Sequence, residues 1–594
     1  MILHALVLLF AQEPLAPEET VRKLKVPDGF SIKLFAGEPD LTQPISFCID
    51  DRGRLWVAEN HSYPHLVPKD RIVIFEDADG DGRFDVRKVF CEGLAYVTGL
   101  EVGFGGAWVI APPQMLFIAD RDGDDRADGP PHALLDGFGM QGIHNIANGF
   151  TWGPDGWLYA GHGRTSISEI GKPGTPKEQR VHYDGGVWRY HPVRHVFEPF
   201  CDGTTNPWGV AFDDHGQAII STCVERHLYH AVQGAHFEPW RGRPSSRYAY
   251  RRIDSIADHN HWKGALDRES RSGSAEQLAA GGGHAHCGAM VYLGDSFPES
   301  YRGTVFMNNL HGHRVNNDIL RRRGSSFVAT HGPDFLTSED RMHMGLHLQY
   351  GPDGSVYVSD WYDRGECHTR KPHETTGRIY KVVYKDTPSK KVDVSKYNDD
   401  ELAGVQRHPN AWYATHARRV LQERRQGRAI KEGSRLHLLD LLQNSASDVT
   451  RRLRALWALH VIGATDDALL LRQLGSAEEY VRAWAIQLDL EDGKASAEAM
   501  ARFAEMARTD PSPVVRLYLA AGMRRLPAVE RWDVLEALAA HAEDTEDLNL
   551  PLMIWYAVEP MAVAAPERAV EFLKKARIPL LREFMARRIA AAQR

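Results

Sequence analysis

The feature that most constrains the fold is a turn-and-strand pattern that recurs six times between residues 30 and 385. Each copy has a glycine in a tight turn and a large residue three positions later, inside a short β-rich run. Glycine turns between alternating apolar runs are typical of β-hairpins. The copies are Gly53…Trp56, Gly105…Trp108, Gly156…Tyr159, Gly216…Ile219, Gly303…Phe306 and Gly354…Tyr357.

The spacing of these copies predicts a β-propeller. Successive glycines are separated by 52, 51, 60, 87 and 51 residues, and self-similarity at about 40–50 residues is typical of a four-stranded propeller blade. The long interval indicates an insertion at about residues 237–283, between the fourth and fifth blades. We therefore predict a mostly β plus α chain with a six-bladed β-propeller over residues 25–390. A generic β-sandwich is the alternative.

The last third of the chain is rich in Ala, Leu, Arg and Glu. Three segments, at 453–457, 481–485 and 515–519, share an apolar–Arg–x–apolar–apolar core. The middle segment continues to Leu488 with the i, i+3, i+4, i+7 spacing of a half-buried helix. We predict an α-helical HEAT-like solenoid over residues 399–594, with a surface for a protein partner. A plain helical bundle is the alternative.

The N-terminus and the composition bear on location and partners. An apolar run ends near Ala11 and is shorter than the roughly 20 residues of a membrane-spanning helix. It fits a signal peptide at residues 1–11, so we expect an exported protein, periplasmic or at the cell surface. A buried N-terminal strand is the alternative. The net charge of −8 provides no basic excess, which argues against a nucleic-acid partner. No cysteine has CxxCH spacing, so no covalent haem is expected.

Two loops carry aspartates at positions 1, 3, 5 and 9, with a glycine at position 4. Carboxylates at alternate positions of a tight loop suit a hard cation that takes six to eight oxygen ligands. Position 12 is Lys88 or Pro131 rather than glutamate, which excludes EF-hands. We predict two structural calcium sites, with a pair of solvated acidic turns as the alternative. The residues are Asp77, Asp79, Asp81 and Asp85, and then Asp120, Asp122, Asp124 and Asp128.

Polar residues, many of them histidines, gather at the ends of the predicted inner strands, where the central channel of a propeller opens. Before these strands lie Gln43, Thr98, His144, Asn206, His284, His286 and His347, and after them lie Glu59, His61, His162, His311, His313 and Asp360. Neutral imidazole can act as a general base or a metal ligand, and convergent polar groups in a pocket indicate an active site. Sequence alone allows the two sets to share one mouth or to lie at opposite mouths. The alternative is that each histidine only hydrogen-bonds neighbouring turns.

Three runs in this part of the chain carry a family resemblance. They are Gly-Gly-Gly-His-Ala-His at 281–286, Asn-Asn-Leu-His-Gly-His-Arg-Val-Asn at 308–316, and Asp-Trp-Tyr-Asp at 360–363 with Cys367-His368. They resemble the exported "membrane-bound dehydrogenase" propeller family of planctomycetes and verrucomicrobia. More remotely, the propeller resembles the soluble glucose/sorbosone dehydrogenases, which use pyrroloquinoline quinone. The resemblance implies oxidation of a sugar or alcohol hydroxyl, with transfer to a separate electron acceptor such as a cytochrome c.

The resemblance also implies residue roles. His144, ahead of the Gly-Pro-Asp-Gly turn at 153–156, matches the catalytic base, Asn206 matches an Asn-Pro-x-Gly segment, and His311 corresponds roughly to a cofactor-binding lysine. Substrate or cofactor binding is expected of His61, His284, His286, His313, His347 and Asp360. Thr205 stands where that family has arginine, and no arginine pair lies between Met344 and Gly351. The carboxylates of a quinone would lose strong cationic partners, which leaves a quinone or a redox metal as cofactor candidates.

Two other functions stay open at this stage. One is a calcium-dependent, lactonase-like hydrolase whose channel metal would be held by Glu59, Asn206 and Asp360. The other is a non-catalytic propeller that binds a carbohydrate or a protein, with the helical domain docking a partner at the cell surface.

Overall fold

The computed structural model describes residues 13–223, 226–239, 246–261, 281–363, 373–444 and 446–592. The predicted signal peptide at 1–11 and the Cys367-His368 pair lie outside the described residues. A six-bladed β-propeller is followed by a helical domain, so the predicted architecture is confirmed. The chain begins with α1 (Pro17–Val21), β1 (Leu24–Lys25) and β2 (Phe30–Gly37).

The first three blades are antiparallel sheets of four strands. Blade 1 contains β3 (Pro44–Ile49), β4 (Leu55–Glu59), β5 (Asp70–Glu76) and β6 (Val86–Leu94). Blade 2 contains β7 (Gly99–Val102), β8 (Gly106–Ala111), β9 (Gln114–Ala119) and β10 (His132–Asp136). Blade 3 starts with β11 (Ala147–Trp152) and β12 (Leu158–His162), has an inserted hairpin of β13 (Ser168–Ile170) and β14 (Val181–Tyr183), and ends with β15 (Gly186–His191) and β16 (Val196–Asp202).

The last three blades include both ends of the propeller. Blade 4 contains β17 (Pro207–Phe212), β18 (Ala218–Thr222) and β19 (Leu228–Ala231). Blade 5 contains β20 (His286–Val291), β21 (Val305–Asn309), β22 (Arg314–Arg323), β23 (Ser326–His331) and β24 (Leu336–Ser338), and β1 pairs with β24. Blade 6 contains β25 (Gly345–Tyr350), β26 (Val356–Asp360) and β27 (Arg378–Tyr384). Its fourth strand is β2, which pairs with β27 and so ties the start of the propeller to its end.

The six innermost strands form a closed ring. Strands β3, β7, β11, β17, β20 and β25 contact one another in that cyclic order, and β25 contacts β3. In every blade the repeated glycine lies between the first and second strands, and all six have φ between 70° and 81°. Glycine adopts this left-handed conformation without the steric cost that other residues meet. The glycine repeat in the sequence therefore reflects the same tight turn in each blade.

The strand pairing corrects one detail of the sequence interpretation. Residues such as Glu59 and Asp360 end the second strand of a blade and not the innermost strand. Because the second strand runs antiparallel to the first, Pro44 pairs with Glu59 and Gly345 pairs with Asp360. Apart from His347, which lies inside its strand, both predicted sets of polar residues therefore lie at one end of the channel, which we call the polar mouth. The glycine turns form the opposite end, the turn face.

The helical domain begins at Asp399, and side chains cap several of its helices. Asn410, Asp448 and Ser512 accept hydrogen bonds from the first backbone N–H groups of their helices, as N-cap residues do. The helices are α2 (Asp399–Gly404), α3 (Ala411–Gly427), α4 (Glu432–Gln443), α5 (Val449–Val461), α6 (Asp467–Gln473), α7 (Glu479–Asp489), α8 (Ala497–Thr509), α9 (Pro513–Met523), α10 (Trp532–Leu538), α11 (Leu550–Val558), α12 (Met561–Ala564), α13 (Pro566–Lys575) and α14 (Pro579–Ala592).

One row of helices covers the turn face of the propeller. Helices α3, α5, α7, α9 and α11 contact one another in succession. Gln422 of α3 donates to the Gly156 carbonyl at 3.1 Å, and Trp484 of α7 donates to the His215 carbonyl at 2.7 Å. That the helices are HEAT-like repeats stays a prediction. In the part of the chain that the structure describes, no helix combines the length and apolarity needed to cross a membrane.

Candidate metal centre

Five imidazoles and one carboxylate converge between blades 4 and 5, and we call this group the histidine centre. Its members are His227, His259, His261, His286, His331 and Asp318. His227 immediately precedes β19, His286 begins β20, Asp318 lies on β22 and His331 ends β23. His259 and His261 lie in the insertion after blade 4. Blades 4 and 5 are consecutive and pack side by side, so residues far apart in the chain, such as His227 and Asp318, become neighbours.

The donor atoms of the centre have the spacing of a metal site. Single ligand atoms of His227, His259, His261 and Asp318 all lie within 4.8 Å of one another. Asp318 Oδ1 is 3.5 Å from His259 Nε2 and 3.9 Å from both His261 Nε2 and His331 Nδ1. His261 Nε2 is also 2.9 Å from His259 Nε2 and 3.3 Å from His331 Nδ1. Bonds of 2.0–2.1 Å in a tetrahedral site place ligand atoms about 3.3 Å apart. The ligand atoms of His227, His259, His261 and Asp318 are therefore close enough together to share one ion.

A second layer of contacts orients these donors. His259 Nδ1 is 3.0 Å from Asp258 Oδ1, and His261 Nδ1 is 2.8 Å from His286 Nε2. His227 Nε2 is 3.0 Å from Asp318 Oδ2 and leaves the Oδ1 atom directed at the other imidazoles. Within the described residues, Asp318 Oδ1 is buried and has no hydrogen-bond partner. Metal-binding histidines usually bond a carboxylate or another acceptor through the second ring nitrogen, and this arrangement has that form.

Most pKa shifts in the centre favour metal binding, but interactions with Asp318 and Asp258 outweigh burial and raise the pKa of His259. Burial, reinforced by His227, holds the pKa values of His261 and His286 well below the usual range. Burial would raise the pKa of Asp318, but its interactions with His227, His259 and His331 outweigh burial and hold that pKa well below the usual value. Neutral imidazole and ionised carboxylate are the protonation states that metal coordination requires.

Several residues predicted from the sequence lie at the polar mouth next to this centre. His284 and His311 stack with ring centroids 4.0 Å apart, and both are buried. Asn206 donates to the backbone carbonyl of His144 at 3.4 Å. These four residues come from blades 3, 4 and 5, whose inner strands are neighbours in the ring. His286 is the predicted residue that joins the histidine centre directly.

Other predicted residues have different surroundings. His61 is 3.3 Å from Thr42 Oγ1, and His313 Nδ1 is 2.8 Å from the His343 carbonyl. Asp360 is buried and accepts hydrogen bonds from His343, Tyr380 and two backbone N–H groups. His347 lies farther along the channel, where it lines a cavity next to the helical domain.

The metal site considered for a lactonase-like hydrolase has a different arrangement from the histidine centre. Glu59 forms an ion pair with Arg71 and accepts a hydrogen bond from the Thr42 backbone at 2.8 Å. Among the described histidine, cysteine and carboxylate groups, neither Glu59 nor Asp360 belongs to a cluster of candidate metal ligands. Both carboxylates therefore act as hydrogen-bond acceptors inside the blades.

The two acidic loops each bring three carboxylates together. One group contains Asp77, Asp79 and Asp85, and the other contains Asp120, Asp122 and Asp128, with donor atoms within 4.8 Å in each. The position-5 residues lie outside these groups. Asp81 and Asp124 instead accept hydrogen bonds from the backbone N–H groups of Arg83 and Arg126. Calcium binding at the loops stays a prediction.

Sequence reasoning missed five members of the histidine centre. The signals that could have found them are the Asp258-His259-Asn260-His261 run and the His331-Gly-Pro-Asp334 turn. Histidines two residues apart in an insertion are a weak signal. Their partners are Asp318, on a strand, and His227, just before one, and a lone polar residue is ordinary at such positions.

Comparisons with solved structures return propellers of several kinds. An oxidoreductase (glucose dehydrogenase) of Thermus thermophilus is 16% identical, covers 60% of this chain and 100% of its own length, and has a TM-score of 0.40. The soluble aldose sugar dehydrogenase of Escherichia coli is 13% identical over 60% of this chain and 99% of its own, with a TM-score of 0.33. A protein described as a gluconolactonase is 13% identical over 64% of this chain and 99% of its own, also at 0.33. Similarity at this level does not assign an activity.

Comparison by sequence is informative about the family. No curated protein matches the chain. The model of one protein family, described as "Domain of unknown function (DUF7133)", matches residues 16–386, which include all six blades. Because this match covers more than half of the sequence, the chain belongs to the DUF7133 family.

Proposed function

We propose that this protein is a metal-dependent oxidoreductase that oxidises a sugar or alcohol hydroxyl beside the histidine centre. Electrons would pass to a separate acceptor, such as a cytochrome c. The observation that supports the metal is the grouping of ligand atoms from His227, His259, His261 and Asp318 within 4.8 Å of one another. Imidazole donors suit iron, copper, nickel and zinc, whereas calcium prefers a shell of oxygens. The substrate class rests on the resemblance of the sequence to sugar dehydrogenases.

The centre has one accessible side. The side chains of His259 and His331 are 19% and 23% exposed, whereas those of His261 and Asp318 are fully buried. A substrate hydroxyl would therefore approach between His259 and His331. Asp258 lies at this side, hydrogen-bonded to His259, and its side chain is 44% exposed. This carboxylate is placed to pass a proton to solvent.

Oxidation of a hydroxyl to a carbonyl removes two electrons and two protons. A redox metal held in the histidine centre would relay these electrons one at a time to the separate acceptor, which takes up both. Side chains of the protein would accept the protons. The candidates are Asp258 at the centre and His144, the base that the resemblance implies. Asp334 lies next to His331 on the accessible side of the centre. Its Oδ1 atom is 3.9 Å from His331 Nε2, and its other oxygen pairs with Arg314 at 2.6 Å.

Two observations argue against pyrroloquinoline quinone at the polar mouth. That cofactor carries several carboxylates, which need cationic partners, and Thr205 and the stretch from 344 to 351 supply none. An apolar cluster that includes Trp208, Leu346 and Trp361 packs there instead. We therefore assign the redox role to a metal and not to a quinone.

The test combines metal analysis with activity. Protein purified from its native host should contain about one iron, copper or nickel ion per chain beyond any calcium, and should reduce an artificial dye with at least one sugar or alcohol. His261→Ala should lower both metal content and dye reduction at least tenfold, as loss of a ligand does. His182→Ala is the matched control, because His182 is an exposed histidine paired with Glu169 at 2.9 Å.

Two results would count against this proposal. Zinc in the centre, together with hydrolysis of a lactone, would favour a hydrolase built on the same donors. Dye reduction that persists unchanged in His261→Ala would separate the activity from the histidine centre.

A further inference from the structure

A chamber lies at the turn-face end of the channel, between the propeller and the helical domain. The inner strands contribute Phe150, Val210 and His347 to its walls. Helices α3 and α5 close the side that faces the helical domain. The cavity has a volume of about 190 Å³. A single water needs only about 10–15 Å³ measured in this way, and an engineered cavity of about 150 Å³ holds benzene. The chamber therefore has room for a small organic molecule.

One cationic side chain faces this chamber without a partner. Arg418 of α3 is only 5% exposed and lines the cavity. Within the described residues, its guanidinium forms no hydrogen bond and no ion pair, and it lies 5.6 Å from the centroid of the Trp457 ring. The carboxylate that acts on it electrostatically, Asp155, is already paired with Arg189 at 3.0 Å. Burial of the guanidinium, with Arg454 nearby, lowers the pKa of Arg418 to about 10. The side chain therefore remains charged at neutral pH.

The neighbouring cations are already compensated. Arg419 forms ion pairs with Asp51 and Glu423. Arg454 pairs with Asp214 at 2.7 Å, and Asp214 also pairs with Arg302 at 2.5 Å. The uncompensated positive charge of the chamber is therefore located on Arg418. A buried charge without a partner is costly, and proteins normally pair such a group.

We infer that the chamber binds one small anion, carrying a carboxylate or a phosphate group, on the guanidinium of Arg418. A guanidinium forms two parallel hydrogen bonds with either group. Trp457 and Tyr350 also line the chamber and present aromatic surface to the remainder of an organic anion. This site is separate from the histidine centre, so the inference does not depend on the proposed oxidoreductase activity.

Isothermal titration calorimetry tests the inference in a buffer free of other oxyanions. Inorganic phosphate and acetate are titrated separately into the full chain, and the two arms distinguish a phosphate site from a carboxylate site. At least one anion should bind with a stoichiometry of about one. Arg418→Met should lose that binding at least tenfold, whereas the control Arg502→Met should bind as the wild type does. Arg502 is a surface arginine whose side chain is 37% exposed and pairs with Glu505 at 2.6 Å.

A second variant guards against misfolding. Arg418→Lys keeps the charge but cannot make two parallel hydrogen bonds, so it should bind the same anion several-fold more weakly than the wild type. The inference is overturned if neither anion binds the wild type, because water then satisfies the guanidinium. It is also overturned if Arg418→Met or Arg418→Lys binds with unchanged affinity.

Discussion

The pKa of Glu101 allows a direct test of the structure around the chamber. This residue lies on β7, lines the chamber next to the helical domain and is 7% exposed. Burial raises the pKa of Glu101 from 4.5 to about 7, although Arg419 and Cys48 partly oppose the shift. The folded protein therefore holds the Glu101 proton more tightly than the unfolded chain does.

The sign of the pH dependence follows from this shift. The stabilisation from the bound proton is fully present below pH 4.5 and is lost as pH rises through about 7. A shift of this size corresponds to about 3 kcal/mol at most. Glu101→Gln mimics the protonated acid and cannot lose the proton, so the variant avoids this loss.

The assay is thermal unfolding at pH 5 and at pH 8. At pH 5 the melting temperatures of Glu101→Gln and the wild type should nearly coincide. At pH 8 the variant should melt a few degrees higher, since about 3 kcal/mol is large compared with net protein stability. Glu530→Gln, at an exposed glutamate, is the control and should follow the wild type at both values. Parallel curves for Glu101→Gln and the wild type would refute the reasoning.

Three further predictions concern other parts of the molecule. His144→Ala should abolish dye-linked oxidation without lowering the melting temperature by more than a degree or two, and unchanged activity would remove His144 as the base. Calcium should raise the melting temperature relative to EGTA, because a ligand that binds only the folded state stabilises it, and the double variant Asp79→Asn/Asp122→Asn should not respond. Asp544→Asn should destabilise the helical domain by about 3–5 kcal/mol in denaturant titrations, since it leaves Arg516 buried without the carboxylate that pairs with it at 2.6 Å. A loss below about 1 kcal/mol would show that the pair is dispensable.

The propeller could be predicted because its information is local. Each blade repeats one tight turn, and the glycine that the turn requires is visible in the sequence at positions such as Gly156 and Gly354. The helical domain could be predicted for the same reason, because each helical segment shows the apolar spacing of a half-buried helix. Closure of the ring then followed from the number of repeats.

The histidine centre could be predicted only in part. Of its members, the sequence analysis singled out His286, because it lies at a strand end in a histidine-rich run beside His284. His227, Asp318 and His331 meet only after two blades pack side by side, and His259 and His261 come from an insertion without a repeat pattern. A single sequence carries no local signal for such long-range contacts. The sequence also does not show which groups donate hydrogen bonds to Asp360. Its structural role could therefore not be distinguished from ligand binding.

The most direct measurement of the central claim is X-ray absorption spectroscopy of the purified full chain at the edge of its bound transition metal. We predict about one ion per chain, with nitrogen and oxygen ligands at about 2.0–2.2 Å and the scattering pattern of imidazole rings. His261→Ala and Asp318→Asn should each change that ligand shell. A chain that binds no transition metal, or a spectrum identical in the wild type and both variants, would contradict this prediction.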